Sequence, residues 1–185
     1  MKKSILIIIG CLLLSYSSIA GDTLSLSISG KYLVQADDNF KEVYGNSVFI
    51  PEIKADINVL KNLYLWVGFG MSTSIGTTFP DLNEDIEFKQ NIISGGIGYR
   101  IRVSKKTYFL LEAGTAYFNC KETAFDMEVK SSALGYRIAG GLNLYLGKIV
   151  FAQLSGGYMS ATDDAAGEEV KLGGAFASFG LGFQF

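Results

Sequence analysis

The sequence predicts an all-β fold, an eight-stranded antiparallel up-and-down transmembrane β-barrel, and three observations carry that expectation. Apolar and polar residues alternate with a period of two in eight separate segments. After residue 21 no stretch approaches the roughly 20 apolar residues that a membrane-spanning helix needs. The connections between the segments alternate between short and long. A period of two places alternate side chains on opposite faces of a strand, and about ten residues suffice for a tilted strand to cross a bilayer.

Before the first strand lies a different kind of segment. Lys2 and Lys3 precede an apolar run from Ile5 to Leu14, and Ser18 and Ala20 supply small residues at a cleavage position. Residues 1–20 therefore read as a secretory signal peptide, with residues 21–185 as the barrel domain. The run Ile8-Ile9-Gly10-Cys11 loosely resembles a lipoprotein box, but Leu12-Leu13-Leu14 continues the apolar core past Cys11. Removing Lys2 and Lys3 from the 16 basic residues leaves 14 against 18 acidic ones, a formal charge of −4. Cys120 is then the one cysteine left, so the exported chain forms no internal disulfide. A hydrogen-bonded closed barrel supplies stability in its place.

The strands follow in order. Leu24, Leu26, Ile28, Tyr32 and Val34 form the apolar face of the first, and Phe49, Ile53, Ala55, Ile57 and Val59 that of the second. Leu63, Leu65, Val67, Phe69 and Met71 mark the third; Ile93, Ile97, Tyr99 and Ile101 the fourth; Phe109, Leu111, Ala113 and Tyr117 the fifth. The sixth carries Leu134, Tyr136, Ile138, Leu142 and Leu144, and the seventh Val150, Ala152, Leu154 and Tyr158. The eighth ends the chain with Ala175, Ala177, Phe179, Leu181, Phe183 and Phe185. None of these faces contains a charged residue. Tyr64, Trp66, Tyr108, Phe151 and Phe176 sit on the polar register, as expected where a small barrel fills its own interior. Residues 60–62, 103–106 and 147–148 read as short turns, and segments 36–47, 75–86, 118–130 and 160–169 as long loops, which puts both termini at the turn end.

A soluble lipocalin-like barrel has the same period with the faces exchanged. Two features oppose it here. The polar register is dominated by Gly, Ser and Ala, which suit a cramped lumen and make a poor water-facing surface. The chain also stops on Phe179-Gly180-Leu181-Gly182-Phe183-Gln184-Phe185 with no packing helix after it.

On that strand count, loop alternation and final strand, the whole mature chain resembles the small outer-membrane β-barrels of Gram-negative bacteria. These include the membrane domain of outer-membrane protein A, outer-membrane protein X and the opacity proteins. The resemblance implies residence in the outer membrane among lipid and lipopolysaccharide, with the termini in the periplasm. It also implies that Phe179, Leu181, Phe183 and Phe185 form a signal read by the barrel-assembly machinery. No counterpart of the peptidoglycan-binding domain of outer-membrane protein A is present, so that anchoring role is not expected.

Composition removes several function classes. A formal net charge of −2 offers no basic face for a nucleic-acid backbone. The absence of His removes His-based triads and most zinc sites. Asp163-Asp164 has the residue type for acid–base chemistry, but on a Gly/Ala-rich loop it reads as solvated. Cys120, beside Lys121, has no base to activate it. Gly95-Gly96-Ile97-Gly98, Gly140-Gly141 and Gly173-Gly174 lack the strand-to-helix context of a phosphate cradle. No catalytic residue, cofactor or metal site is expected.

Charges on the polar register are the candidate site. Lys31, Glu52, Lys54, Asp56, Arg100, Glu112 and Arg137 all fall on the inward parity, four positive against three negative. If Gln35 faces Val48, Lys31 faces Glu52; if Asn119 faces Lys130, Glu112 faces Arg137. Near balance predicts an ion-pair network, read either as a structural plug or as a gate. The four long loops carry a net −10 and the turns Lys61, Arg102, Lys105, Lys106 and Lys148. The acidic rim reads as solvated surface, as a place for Ca²⁺ or Mg²⁺ shared with lipopolysaccharide phosphates, or as a face for a basic partner. Three functions follow: a non-enzymatic envelope and surface-contact protein, a narrow passive pore or lateral path for small solutes, and a soluble lipocalin-like binder. The external ligand is left open.

Overall fold

The computed structural model describes residues 24–77, 85–124, 127–165 and 168–185. The expected signal peptide lies outside these residues. Eight strands form one closed sheet: β1 (Leu24–Gln35), β2 (Ser47–Asn58), β3 (Leu63–Thr77), β4 (Asp85–Arg102), β5 (Thr107–Ala124), β6 (Met127–Tyr145), β7 (Val150–Ala165) and β8 (Glu168–Gln184). Each pairs antiparallel with its neighbours in sequence, and β8 returns to β1. Closure matters because an open edge would leave unpaired backbone groups in hydrocarbon. The seam is sealed to the last residue, where Phe185 N donates to Leu24 O at 2.8 Å.

Three tight connections share one geometry. Val59 N donates to Leu63 O, Val103 N to Thr107 O and Leu146 N to Val150 O, each at 2.9 Å. At the other end the sequence expectation needs correction. Segments 118–130 and 160–169 are strand at every described residue, and β3 and β4 extend into 75–86 at residues 75–77 and 85–86, because the period of two continues there with polar residues outward. Ile86, Phe88, Ile92, Phe118, Ala133, Met159, Ala161 and Leu172 stay buried inside, while Lys89, Asn91, Asn119 and Lys130 project outward. Where the outward face turns polar, the strands have left the hydrocarbon and continue as hairpins.

The segment 36–47 also holds a short helix, α1 (Asp38–Tyr44). Asp37 caps it by accepting from Phe40 N at 3.0 Å, which satisfies one of the free N–H groups of the first turn. The same carboxylate accepts from Lys171 N at 3.0 Å and ties the helix to β8. Phe40 and Tyr44, one turn apart on a single face, stack against Phe88 with ring centroids 5.0 and 5.4 Å away.

The interior is layered. Leu33, Ile50, Phe88, Phe118, Met159, Phe176 and their neighbours make an apolar layer toward the loop end, and Tyr64, Trp66 and Leu110 a smaller one toward the turns. Glycine makes room for one of these rings. Gly98 lies directly opposite Tyr64 on the neighbouring strand, and a Cβ at Gly98 would overlap the Tyr64 ring.

Candidate functional site in the barrel lumen

The outward register forms a continuous apolar belt: Ile28 is 66% exposed, Phe49 62%, Leu134 70% and Phe179 62%. On the inward register Lys31 is 1% exposed and Arg137 2%. Burying charge while exposing large apolar residues is the reverse of a water-soluble protein, and it is the arrangement that a hydrocarbon solvent favours. The exchanged faces of a lipocalin-like barrel are not adopted.

All seven predicted charges point inward, and they join into one alternating chain. Lys31 pairs with Glu52. Arg137 reaches Glu52 from the far side of the barrel, with Nη1 3.0 Å from Oε2, and its Nη2 lies 3.8 Å from Glu112 Oε2. Lys54 Nζ is 2.5 Å from Glu112 Oε1 and 3.6 Å from Asp56 Oδ1. Arg100 Nη2 closes the series 3.2 Å from Asp56 Oδ2. The order is thus Lys31, Glu52, Arg137, Glu112, Lys54, Asp56, Arg100, with a cation at each end.

The expected pairings require one correction. Lys31 faces Ile50 and Glu52 faces Ser29, while Glu112 faces Ala139 and Arg137 faces Gly114. Both registers are two residues away from the expected ones, a shift that preserves inward parity. Lys31 and Glu52 still meet diagonally. Glu112 and Arg137 meet only at the longer distance, because Lys54 on β2 is nearer to Glu112 and Glu52 is nearer to Arg137.

Sequence reasoning placed aromatic residues in the lumen without assigning them a partner. The guanidinium of Arg137 lies 4.8 Å from the centroid of Trp66 and 5.2 Å from that of Phe176; Lys31 Nζ is 4.9 Å from Phe176, and Arg100 is 4.5 Å from Tyr64. Such cation–π contacts gain strength where water is excluded. Tyr64 also donates to Glu112 Oε1 at 2.9 Å, Arg137 to Ser94 Oγ at 3.1 Å, and Trp66 Nε1 to Ile97 O at 3.1 Å. The signal that could have found these partners was in the sequence, as large aromatic residues on an otherwise small and polar register.

Other predicted residues are distributed around the barrel. Phe179, Leu181, Phe183 and Phe185 project outward along the end of the chain. Cys120, expected at the start of a loop, is instead 2% exposed inside β5 and accepts from Gln90 Nε2 at 3.8 Å. At the tip of the β5–β6 hairpin, Glu128 bonds both Lys121 (2.5 Å) and Lys130 (2.7 Å). These two hydrogen bonds hold its carboxyl down at about 2. On α1, burial and the neighbouring Glu122 carboxylate push the Tyr44 phenol upward. Part of the acidic rim, Asp81, Glu84 and Asp126 included, lies outside the described residues.

Belt, closed sheet and buried ion-pair layer together define a transmembrane β-barrel with the fold of small eight-stranded outer-membrane proteins. Solved structures of that kind superpose over nearly the whole chain. The outer membrane protein OprG from Pseudomonas aeruginosa matches with a TM-score of 0.67 and 9% identity, covering 89% of this chain and 97% of that one. The N-terminal β-barrel domain of OprF from the same organism gives 0.60 and 16%, covering 89% and 98%. Ail, the attachment invasion locus protein of Yersinia pestis, in complex with the heparin analogue sucrose octasulfate, gives 0.61 and 15%, covering 90% and 100%. No protein-family model matches the sequence, and no curated protein matches it.

Proposed function

We propose that this protein is a non-enzymatic, non-conducting outer-membrane barrel that strengthens the envelope and holds acidic hairpins outside the cell for contact with external partners. The supporting observation is the lumen itself. All seven interior charges are 7% exposed or less and every one is ion-paired with another of the seven. An open aqueous path would have wetted them. Eight strands enclose just enough room for side chains, and here the apolar layer lies across the loop side of the charged one.

In this reading the termini are periplasmic, lipid and lipopolysaccharide surround the belt, and the outward aromatics of β8 are read by the barrel-assembly machinery. The hairpin ends and α1 form the outer surface. Ail was solved with a sulfated polyanion; the net acidic loops of this chain suit a basic partner instead. The test is conductance of the refolded mature chain in planar bilayers, after heat-modifiable gel migration has confirmed folding. A folded barrel that stays silent supports the reading, and stable openings would replace it with a pore.

A further inference from the structure

We propose that the turn-end mouth of the barrel is a binding site for phosphate-bearing anions. A cavity of about 570 Å³ opens there, and its lining includes Arg100, Lys61, Lys105, Lys106 and Lys148 together with Tyr108. Among the described residues, five cations and no carboxylate side chain line it. At about 30 Å³ per liquid water, it has room for a chain of several phosphate groups rather than for one small ion.

Three observations converge on an anion. The four lysines come from the three separate tight turns, at residues 59–62, 103–106 and 146–149, so the closed sheet brings like charges around one opening. None of the four is ion-paired among the described residues. A cleft lined by one sign of charge focuses its field on the ligand that enters.

The second observation is Arg100. It is 7% exposed, stacked on Tyr64, and held by Asp56 Oδ2 at 3.2 Å and Asn58 Oδ1 at 2.9 Å, yet its Nε has no hydrogen-bond partner among the described residues. A buried guanidinium N–H left unmatched is costly. The third is the order of the interior chain, which alternates in sign and ends at this mouth on a cation. One anion above Arg100 continues the alternation and offsets the surplus positive charge.

The shared chemistry is the phosphate group, from a soluble oligophosphate or from the headgroups of the facing leaflet. The inference does not depend on whether the lumen conducts. The full mature chain, refolded in neutral octyl glucoside micelles, is titrated with inorganic triphosphate by calorimetry at low salt, since exposed charges are screened as salt rises. Saturable binding at one site is expected. Replacing Lys61, Lys105, Lys106 and Lys148 together by Ala should weaken it by about a hundredfold or more. These side chains lie on exposed turns, and heat-modifiable migration reports that the variant has folded. Replacing the loop-end pair Lys41 and Lys171 by Ala should leave binding unchanged.

Repeating the titration in micelles doped with phosphatidylglycerol separates the sources. Unchanged affinity supports the site with a soluble ligand; a loss of about tenfold or more supports it with headgroups as occupant. Absence of saturable binding in neutral micelles, or binding that survives loss of the four turn lysines, overturns the proposal.

Discussion

Arg137 on β6 and Glu52 on β2 join across the lumen, with Nη1 3.0 Å from Oε2 and Nη2 3.4 Å from Oε1. Their strands share no edge of the sheet, so this two-point contact is a strut between opposite walls. Removing one partner leaves the other buried with only its second contact, Lys31 for Glu52 or the 3.8 Å approach to Glu112 for Arg137. That unbalances the buried network, which costs up to about 3–5 kcal/mol. Glu52→Ala and Arg137→Ala should each destabilise by that order in reversible urea unfolding from lipid vesicles. Glu52→Leu with Arg137→Met should cost less than the sum of the two single replacements. Additive effects would remove the strut.

A second cycle separates the observed pairings from those that residue parity suggested. Lys54 lies 2.5 Å from Glu112 and Arg137 lies 3.8 Å from it. The coupling energy for Lys54 with Glu112 should therefore exceed that for Arg137 with Glu112, in the same unfolding measurement. The reverse order would restore the register that the sequence suggested.

Gly98 tests how the wall is packed. Its missing side chain lets the Tyr64 ring lie against the neighbouring strand. Gly98→Ala should cost about 1–3 kcal/mol through overpacking. Adding Tyr64→Ala to that variant should cost less than it does in the native background, because the ring that clashes has gone. Equal costs would place the strain elsewhere.

At the β5–β6 tip the Glu128 carboxyl titrates near 2 in the folded chain, below its ordinary 4.5. A folded value below the unfolded one means that the contribution is present above about 4.5 and is lost as pH falls toward 2. Carboxyl NMR of Glu128 should show a midpoint near 2 in the folded barrel, moving to the ordinary range in the double variant Lys121→Ala, Lys130→Ala. A midpoint near 4.5 in the native protein would mean that the lysine clamp does not persist in solution.

Much of this was legible in the residues because membrane and lumen impose opposite chemistry on a period of two. Leu26 and Ile28 against Ser25 and Ser27 fix a face wherever a strand crosses, and seven inward charges could be named from parity alone. Register could not. Sliding Lys31 past Glu52 by two residues changes no side chain's face, so alternation is blind to it, and only the length of the connecting hairpin decides. Those hairpins read as loops because Lys121, Glu128 and Lys130 are polar and charged, whereas the buried Phe118, Cys120 and Ala133 continue the strand beneath them. The α1 helix was hidden for a related reason: seven residues carry too little periodicity, and its anchor, Phe88, comes from a distant strand.

Trp66, the sole tryptophan, gives the most direct test of a closed lumen inside a lipid-facing wall. It is 4% exposed and sits against Arg137, while its neighbour Val67 faces outward. Fluorescence of the folded barrel in vesicles should be shielded from aqueous iodide. Brominated acyl chains should quench Trp66 far less than the tryptophan of a Trp66→Phe, Val67→Trp variant. Strong iodide quenching of Trp66 would mean a water-filled pore, and bromolipid quenching greater at 66 than at 67 would mean that the two faces of the barrel are reversed.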